Sequence, residues 1–475
     1  MTTTPRATPA ALAAAKAALS GLDIDDHPKT VKQKSRDFFW YSPVLKARLE
    51  DVTADFVVAP RSVDEVVEVM RAAYAHDIPV TTRGAGTGNY GQAMPLAGGI
   101  VLHMKHMNRV LELAPGRIVA ESGIILADLD RQTREETGQE LRIHPSTHGT
   151  ASLGGFIAGG SGGVGSIRWG GLRATGNILS LKIVTCEAEP RVLTLEGDDI
   201  QKANHAYGVN GAIVEVGMPL APAYDWIDVI IGFDDVIEAT RRGMQLANED
   251  AILLKQLCTV ADPVPSQYFR RHAKFLPAGK SVLIAMVAPH SHAGLRTVVA
   301  RWEGAKVLYD AMRDGTDGLP PAYELGWNHT TLRALRVDPE VTYLQTAYMG
   351  DDPLASMARM HAMFGDEVPI HTEITRFDGG VQLSGLPLVR FTTEERLEEI
   401  IRFHEENGCP IFNPHRYTLE EGGMKQTDPI QLAFKRECDP KGLLNPGKMI
   451  AWDDPNWDFQ TQRFYTYPGL AGANP

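Results

Sequence analysis

Cysteine is scarce in this chain. Four of its 475 residues are cysteine, Cys186, Cys258, Cys409 and Cys438, and no two form a C-x-x-C pair. Iron–sulfur clusters and zinc knuckles therefore lack a ligand set, and four free thiols suit a reducing, cytoplasmic compartment. Basic clusters are also missing. Lys plus Arg number 47 against 59 Asp plus Glu, a net charge of −12. No nucleic-acid partner is expected, because counterion release needs clustered cations. Long apolar runs are absent too. The alanine-rich stretch at 10–19 is too short and small-sided to cross a bilayer, so no membrane span is expected. Residues 1–20 lack the basic region and apolar core of a signal peptide. A hydrophobic content of 43% is ordinary for a globular protein, and the length implies two or three domains.

Glycine, by contrast, is concentrated in two places. The first is Arg83-Gly84-Ala85-Gly86-Thr87-Gly88-Asn89-Tyr90-Gly91, and the second runs from Ser152 to Ser166 with glycine at 154, 155, 159, 160, 162, 163 and 165. Without a Cβ, the backbone N–H groups can turn inward and approach a ligand closely, and successive inward amides form a nest for phosphate oxygens. Two such loops suggest a ligand with an extended phosphate bridge, such as a dinucleotide. Gly86 to Gly91 also spells G-x-G-x-x-G after a predicted strand at 78–82. A Rossmann site needs a helix opening inside that motif. Here Gln92-Ala93-Met94-Pro95-Leu96-Ala97-Gly98-Gly99 follows, with a proline and two glycines opposing a helix.

Periodicity predicts strands at 56–58, 100–104, 118–120, 178–184 and 191–195, a helix opening at Ser62 with Glu65 at capping-box spacing, and a helix over 127–137. The aromatic patch Phe38-Phe39-Trp40-Tyr41 reads mainly as core packing. From about 225 the pattern changes to strands at 228–232, 281–288, 368–374 and 380–384. Helices are expected at 235–248, 292–305, 353–364 and 392–407, lying on one face of an antiparallel sheet. Residues 308–335 read as a long loop. The expected division is a tail with helices over 1–50, a cofactor domain over 51–222, a substrate domain over 223–415 and a returning segment over 416–475.

Five stretches together resemble a known family. They are Val57-Val58-Ala59-Pro60 with Ser62 and Glu65-Val66; Arg83-Gly84-Ala85-Gly86-Thr87; Thr150 to Ala158; Gly208-Val209-Asn210-Gly211-Ala212-Ile213-Val214-Glu215; and Asp439-Pro440-Lys441-Gly442-Leu443-Leu444-Asn445-Pro446-Gly447-Lys448. Their order and spacing are similar to those of the vanillyl-alcohol oxidase / p-cresol methylhydroxylase (PCMH) flavoproteins. These include FAD-linked oxidases related to glycolate oxidase and D-lactate dehydrogenase subunits. The resemblance implies an α+β fold: a PCMH-type FAD-binding domain of two subdomains plus an antiparallel-sheet α+β cap domain. It implies FAD bound by Arg83, Gly84, Ala85, Gly86, Thr87 and Gly88, by Ser146, Thr147 and His148, by Ser152, Gly154, Gly155, Gly159, Gly163 and Gly165, and by Ile213 and Asn445. Covalent members place a histidine in the first loop. None lies between Arg83 and Gln92, so noncovalent FAD is expected.

Two constellations are candidates for the chemistry. His371, Glu373 and Thr375 share one strand face, where His371 and Glu373 suit an acid–base pair or two metal ligands. Phe412-Asn413-Pro414-His415-Arg416-Tyr417 crowds polar groups into a bent segment, where His415 can take a proton and Arg416 clamp a carboxylate. His415, Arg416, Tyr417, His371 and Glu373 are thus the catalytic candidates, and Arg376, Tyr348 and Asn413 the substrate-binding ones. The metal motifs G-H-x-G-D-G-N-x-H and E-H-G do not occur, and no metal is assigned. The expected activity is hydride transfer from a small alcohol or 2-hydroxyacid to the flavin, with oxygen or another acceptor. The alternatives are a phenol, benzylic or amine oxidase, or a flavoprotein subunit passing electrons to a protein partner. The expected partner is a small-molecule substrate, and a homodimer is compatible with the sequence.

Overall fold

The computed structural model describes residues 5–423, 428–454 and 456. Three large sheets and a two-stranded one, Val341–Tyr343 with Leu388–Arg390, carry the chain, and the cofactor loops hang from the first two.

The first sheet has four strands in the order Ile24–Asp25, Phe56–Val58, Ile100–His103 and Val80–Arg83. Ile100–His103 pairs in parallel with both Phe56–Val58 and Val80–Arg83. Parallel neighbours need a crossover, and helix Val63–His76 supplies it. Ser62 caps that helix by accepting from the Glu65 amide at 3.2 Å, and Val66, Val69, Met70 and Ala73 bury its inner face. Val80–Arg83 then delivers the first glycine loop from its C-terminal end.

The second sheet is antiparallel. It follows the order Val110–Ala114, Arg117–Glu121, Ala212–Pro222, Ser180–Val184 and Val192–Glu196, and Gln139–Leu141 pairs with the far end of Ala212–Pro222. The second glycine loop opens as helix Leu153–Gly159, with Ser152 as its cap.

The third sheet has seven antiparallel strands: Lys306–Asp310, Ile227–Phe233, Ser281–Val287, Leu254–Val260, His371–Phe377, Gly380–Gly385 and Thr346–Tyr348. The expected placement of helices on one face needs correction. Every residue of Ile227–Phe233, Leu254–Val260 and Ser281–Val287 is buried, which requires cover on both faces. Helices Val236–Ala247, His292–Val299, Pro353–Phe364 and Glu394–Glu406 join a core with Val229, Ile231 and Phe233. Ile230, Ile284 and Val260 face another core, completed by segments near 264–276 and 322–335. Residues 308–335 are therefore no open loop; they include Ala311–Asp314, Ala322–Leu325 and helix Asn328–Leu335.

The C-terminal segment returns to the first two sheets. Helix Pro429–Cys438 sends Phe434 and Cys438 into the core of the second sheet, and Leu444 bridges Val80 of the first.

Candidate functional site

One large cavity lies where the three sheets meet, and both glycine loops form its wall. The first loop contributes residues 84–90. The amides of residues 86–89 make no hydrogen bond among the described residues. Four consecutive free donors beside a cavity form an anion nest. The amides of residues 146–149, before the second loop, and those of 161 and 162 are equally unengaged. Nearby, Thr82 Oγ1 and Ser122 Oγ are buried without a partner, and both residues line the cavity.

The glycines are there because the two loops touch. A Cβ on Gly84 would overlap the Ser152 hydroxyl. One on Gly154 would sit 2.5 Å from Ser122 Cβ and 3.0 Å from its carbonyl oxygen. The Ser152 hydroxyl joins the loops, accepting from Ala85 N at 3.3 Å and Gly155 N at 3.4 Å. The arrangement fits a diphosphate bridge gripped from two sides by main-chain amides, and so fits FAD.

Of the residues assigned to the cofactor from sequence, Gly84, Ala85, Gly86, Thr87, Gly88, Ser146, Thr147, Ser152, Gly154, Gly155, Gly159, Gly163 and Ile213 line the cavity. The other four lie behind the wall. Arg83 turns its guanidinium back on the Arg36 and Ala85 carbonyls. His148 places Nε2 3.3 Å from Asp130 Oδ2. Burial opposes charge on Asp130, yet His148 and Lys255 hold its carboxyl down to about 2. Gly165 donates its N–H to the Lys255 carbonyl at 2.7 Å. Asn445 clamps two carbonyls, of Gln92 at 2.8 Å and Tyr207 at 2.6 Å.

None of the eight catalytic and substrate candidates lines the cavity. His415 is buried, with Nδ1 2.7 Å from the Ser42 hydroxyl and Nε2 3.0 Å from the Tyr343 carbonyl oxygen. A carbonyl only accepts, so Nε2 carries the proton and Nδ1 accepts from Ser42. Burial holds the ring neutral, with a pKa down to about 3. Both nitrogens are committed, which leaves no free lone pair for a substrate proton. Arg416 pairs with Glu398 at 2.8 Å, Tyr417 packs under the Lys448 ammonium, and Asn413 accepts from the His415 amide through its side chain. Tyr348 is buried, and Arg376 donates to the Ala247 and Gly379 carbonyls.

His371 and Glu373 stand one layer back. His371 Nε2 is 2.9 Å from Glu373 Oε1, which also accepts from the Trp327 amide at 2.6 Å, and Trp327 does line the cavity. Cys258 pairs across the strands with Glu373, and its Sγ lies within 4.8 Å of ligand atoms of the other two.

Several wall residues were not anticipated. Phe38 and Tyr41 come from the patch read as core packing. Trp327 and Asn328 come from the supposed long loop, Gln345 from the connection before Thr346–Tyr348, and Thr346, Phe377, Gln382 and Ser384 from the third sheet. His205 and Tyr207 lie on the wall with rings stacked 5.6 Å apart. Burial, then Arg173, brings the His205 pKa down to about 3.

The comparisons with known proteins agree with this geometry. Residues 54–194 match the FAD binding domain family. The glycolate oxidase subunit GlcD of Bacillus subtilis is 32% identical over 435 residues, covering 84% of this chain and 89% of GlcD. The chain belongs to the GlcD family of FAD-linked oxidases. Like other members, it is an FAD-dependent oxidase or dehydrogenase. A D-lactate dehydrogenase of Archaeoglobus fulgidus is 34% identical over a shorter stretch, 31% of this chain and 32% of that protein. Among solved structures, an alkyldihydroxyacetonephosphate synthase superposes with a TM-score of 0.69 at 17% identity, over 94% of this chain and 87% of the other. The 4-ethylphenol oxidase of Gulosibacter chungangensis does so at 0.66 and 18%, over 93% and 97%. At those identities the two establish the shared PCMH-type fold. No helix among the described residues is long and apolar enough to cross a membrane.

Proposed function

We propose that this family member oxidises the C–OH group of a small uncharged alcohol, with FAD held noncovalently. The charge of the wall carries the reading: no Asp, Glu, Lys or Arg is among the described residues that line the cavity. The relatives are named for glycolate and D-lactate, both carboxylates. A carboxylate enclosed here would lose its hydration and meet no cation, at a cost of several kcal/mol. A neutral alcohol meets the amides and hydroxyls of Asn328, Gln345, Thr346, Gln382 and Ser384.

Bound FAD supplies the hydride acceptor. The chain supplies the grip, the orientation and the exclusion of water. The free amides of residues 86–89 hold the diphosphate, and Ile213 meets the cofactor through its main chain. Phe38, Trp327, Phe377 and Phe412 give the cavity wall its aromatic surface. His371 and Glu373 act through Trp327, holding its backbone in the wall. Noncovalent attachment is supported by the wall itself: among the described residues that line it there is no cysteine, and His205 is the one histidine.

The same four rings favour a second reading, a benzylic or phenolic substrate. Anaerobic addition of substrates to the yellow holoenzyme tests both. Neutral aliphatic or benzylic alcohols are expected to bleach the flavin, while glycolate and D-lactate leave it oxidised. Faster bleaching by a hydroxyacid refutes the uncharged-substrate reading. Readmitting air then separates oxidase from dehydrogenase by the rate of recolouring.

A further inference from the structure

A second cavity, of about 190 Å³, lies on the far side of the second glycine loop and shares no lining residue with the first. Its charge is opposite in character. Arg142, Arg168 and Lys255 line it, with Glu140 as the one carboxylate. Glu140 is already committed: it accepts from Lys255 Nζ at 2.6 Å and Trp226 Nε1 at 2.9 Å, and it pairs with Arg134. Neither Arg142 nor Arg168 pairs with a carboxylate among the described residues. Their guanidinium carbons lie 4.3 and 5.0 Å from the centre of the Trp169 ring. Arg142 Nε is buried with no partner, and its one hydrogen bond is a long contact of 3.5 Å to the Gly176 carbonyl. Arg168 forms no hydrogen bond or ion pair through its side chain among the described residues. Burial, then the neighbouring Arg168, lowers the Arg142 pKa.

Two like charges beside one indole, in a chain of net charge −12, are unfavourable unless an anion joins them. Guanidinium forks match carboxylates in geometry and stack on aromatic faces. The remaining walls are aromatic and apolar. Tyr224 and Trp226 meet edge to face with centroids 5.3 Å apart, and Leu220 and Leu254 complete the lining. The volume falls below the roughly 300 Å³ at which drug-sized ligands begin to fit. We propose that this cavity binds a small aromatic carboxylate, its carboxyl group held between Arg142 and Arg168 and its ring among Trp169, Tyr224 and Trp226.

The test titrates the holoenzyme with benzoate by calorimetry, with acetate and benzyl alcohol as the two halves of the ligand. Saturable benzoate binding is expected, weakened at least about tenfold by Arg168→Gln, since a charge-assisted hydrogen bond is lost. Arg168 is exposed, so that variant should melt with the wild type. Trp169→Leu provides a second variant expected to weaken binding. Acetate and benzyl alcohol should each bind far more weakly than benzoate. The flavin spectrum should not change as the site fills, whereas a ligand of the first cavity would perturb it. Absence of saturable binding overturns the proposal. So does benzoate binding that survives Arg168→Gln unchanged, that acetate matches, or that shifts the flavin spectrum. The first three of these results leave the alcohol reading of the first cavity intact, whereas benzoate that shifts the flavin spectrum counts against both.

Discussion

Gly84→Ala isolates the contact between the two cofactor loops. Gly84 has no left-handed φ, so its backbone accepts alanine, and space alone forbids it. The added Cβ would overlap the Ser152 hydroxyl, and it would stand 3.1 Å from Ser152 Cβ and 3.6 Å from Gly155 Cα. Either the loops move apart or Ser152 rotates and abandons the Ala85 and Gly155 amides. Overpacking of this kind costs about 1–3 kcal/mol, and each lost hydrogen bond about 1 kcal/mol. If half of that falls on the bound state, FAD affinity drops about tenfold to a hundredfold. The measurement is quenching of flavin fluorescence on titration into apoprotein, with the apoprotein melt recorded alongside. Gly21→Ala, in a segment remote from the cofactor loops, is the control, since nothing lies within 4 Å of its added Cβ. Ser152→Ala combined with Gly84→Ala should cost less than the two changes added, because the clashing oxygen is gone. FAD binding within twofold of wild type in Gly84→Ala refutes the two-sided grip.

Three further outcomes follow from buried groups. Asn445→Ala removes the bonds to the Gln92 and Tyr207 carbonyls, at a φ of +40 that asparagine tolerates better than alanine. A loss of about 2 kcal/mol in urea unfolding is expected, with weaker FAD binding. His415 titrates near 3 when folded, below its ordinary 6.5. Its contribution is therefore complete above the unfolded value and is lost as pH falls toward 3. The slope is up to ~1.4 kcal/mol per pH unit in that window, and His415→Gln should flatten the stability–pH curve there. All four cysteines are buried, and burial raises the pKa of each thiol. A thiol reagent should label none of them until the chain unfolds.

The cofactor half of the site was legible because glycine announces it. The motif residues on the cavity wall supply backbone, and close approach restricts positions such as Gly84 and Gly154 to glycine. The substrate half was not legible. Its wall uses Gln345, Thr346, Gln382 and Ser384, ordinary polar residues whose shared position arises only when Thr346–Tyr348 and Gly380–Gly385 pair at the sheet edge. The segments around His371 and His415 attracted the catalytic assignment because imidazole is chemically suggestive. Local sequence could not show that Ser42 and Tyr343, distant along the chain, would occupy both nitrogens of His415. Strand Leu254–Val260 escaped notice for a related reason. Lys255 and Gln256 break its apolar run, and Lys255 is tolerated inside only because Glu140 of the second sheet meets it.

A buried ion pair joins motifs that lie far apart in sequence. Lys435 is buried, and its ammonium donates to the Val209 and Leu444 carbonyls at 3.0 and 2.9 Å while pairing with Asp439. Asp439 in turn accepts from the amides of Leu443 and Leu444. One ion pair thus fastens the 208–215 segment, which carries Ile213 and Gly211 on the cavity wall, to the 439–448 segment, which carries Asn445. Arg173 and Asp428, both buried and 2.9 Å apart, repeat the device at the other end of the returning helix. A buried charge stripped of its partner costs about 3–5 kcal/mol, so loss of either Lys435 or Asp439 would loosen both segments together. The Asp439-to-Lys448 motif is therefore informative about the flavin site although, among the described residues, none of it lines the cavity: it acts by holding the strands and carbonyls from which the cofactor loops depart.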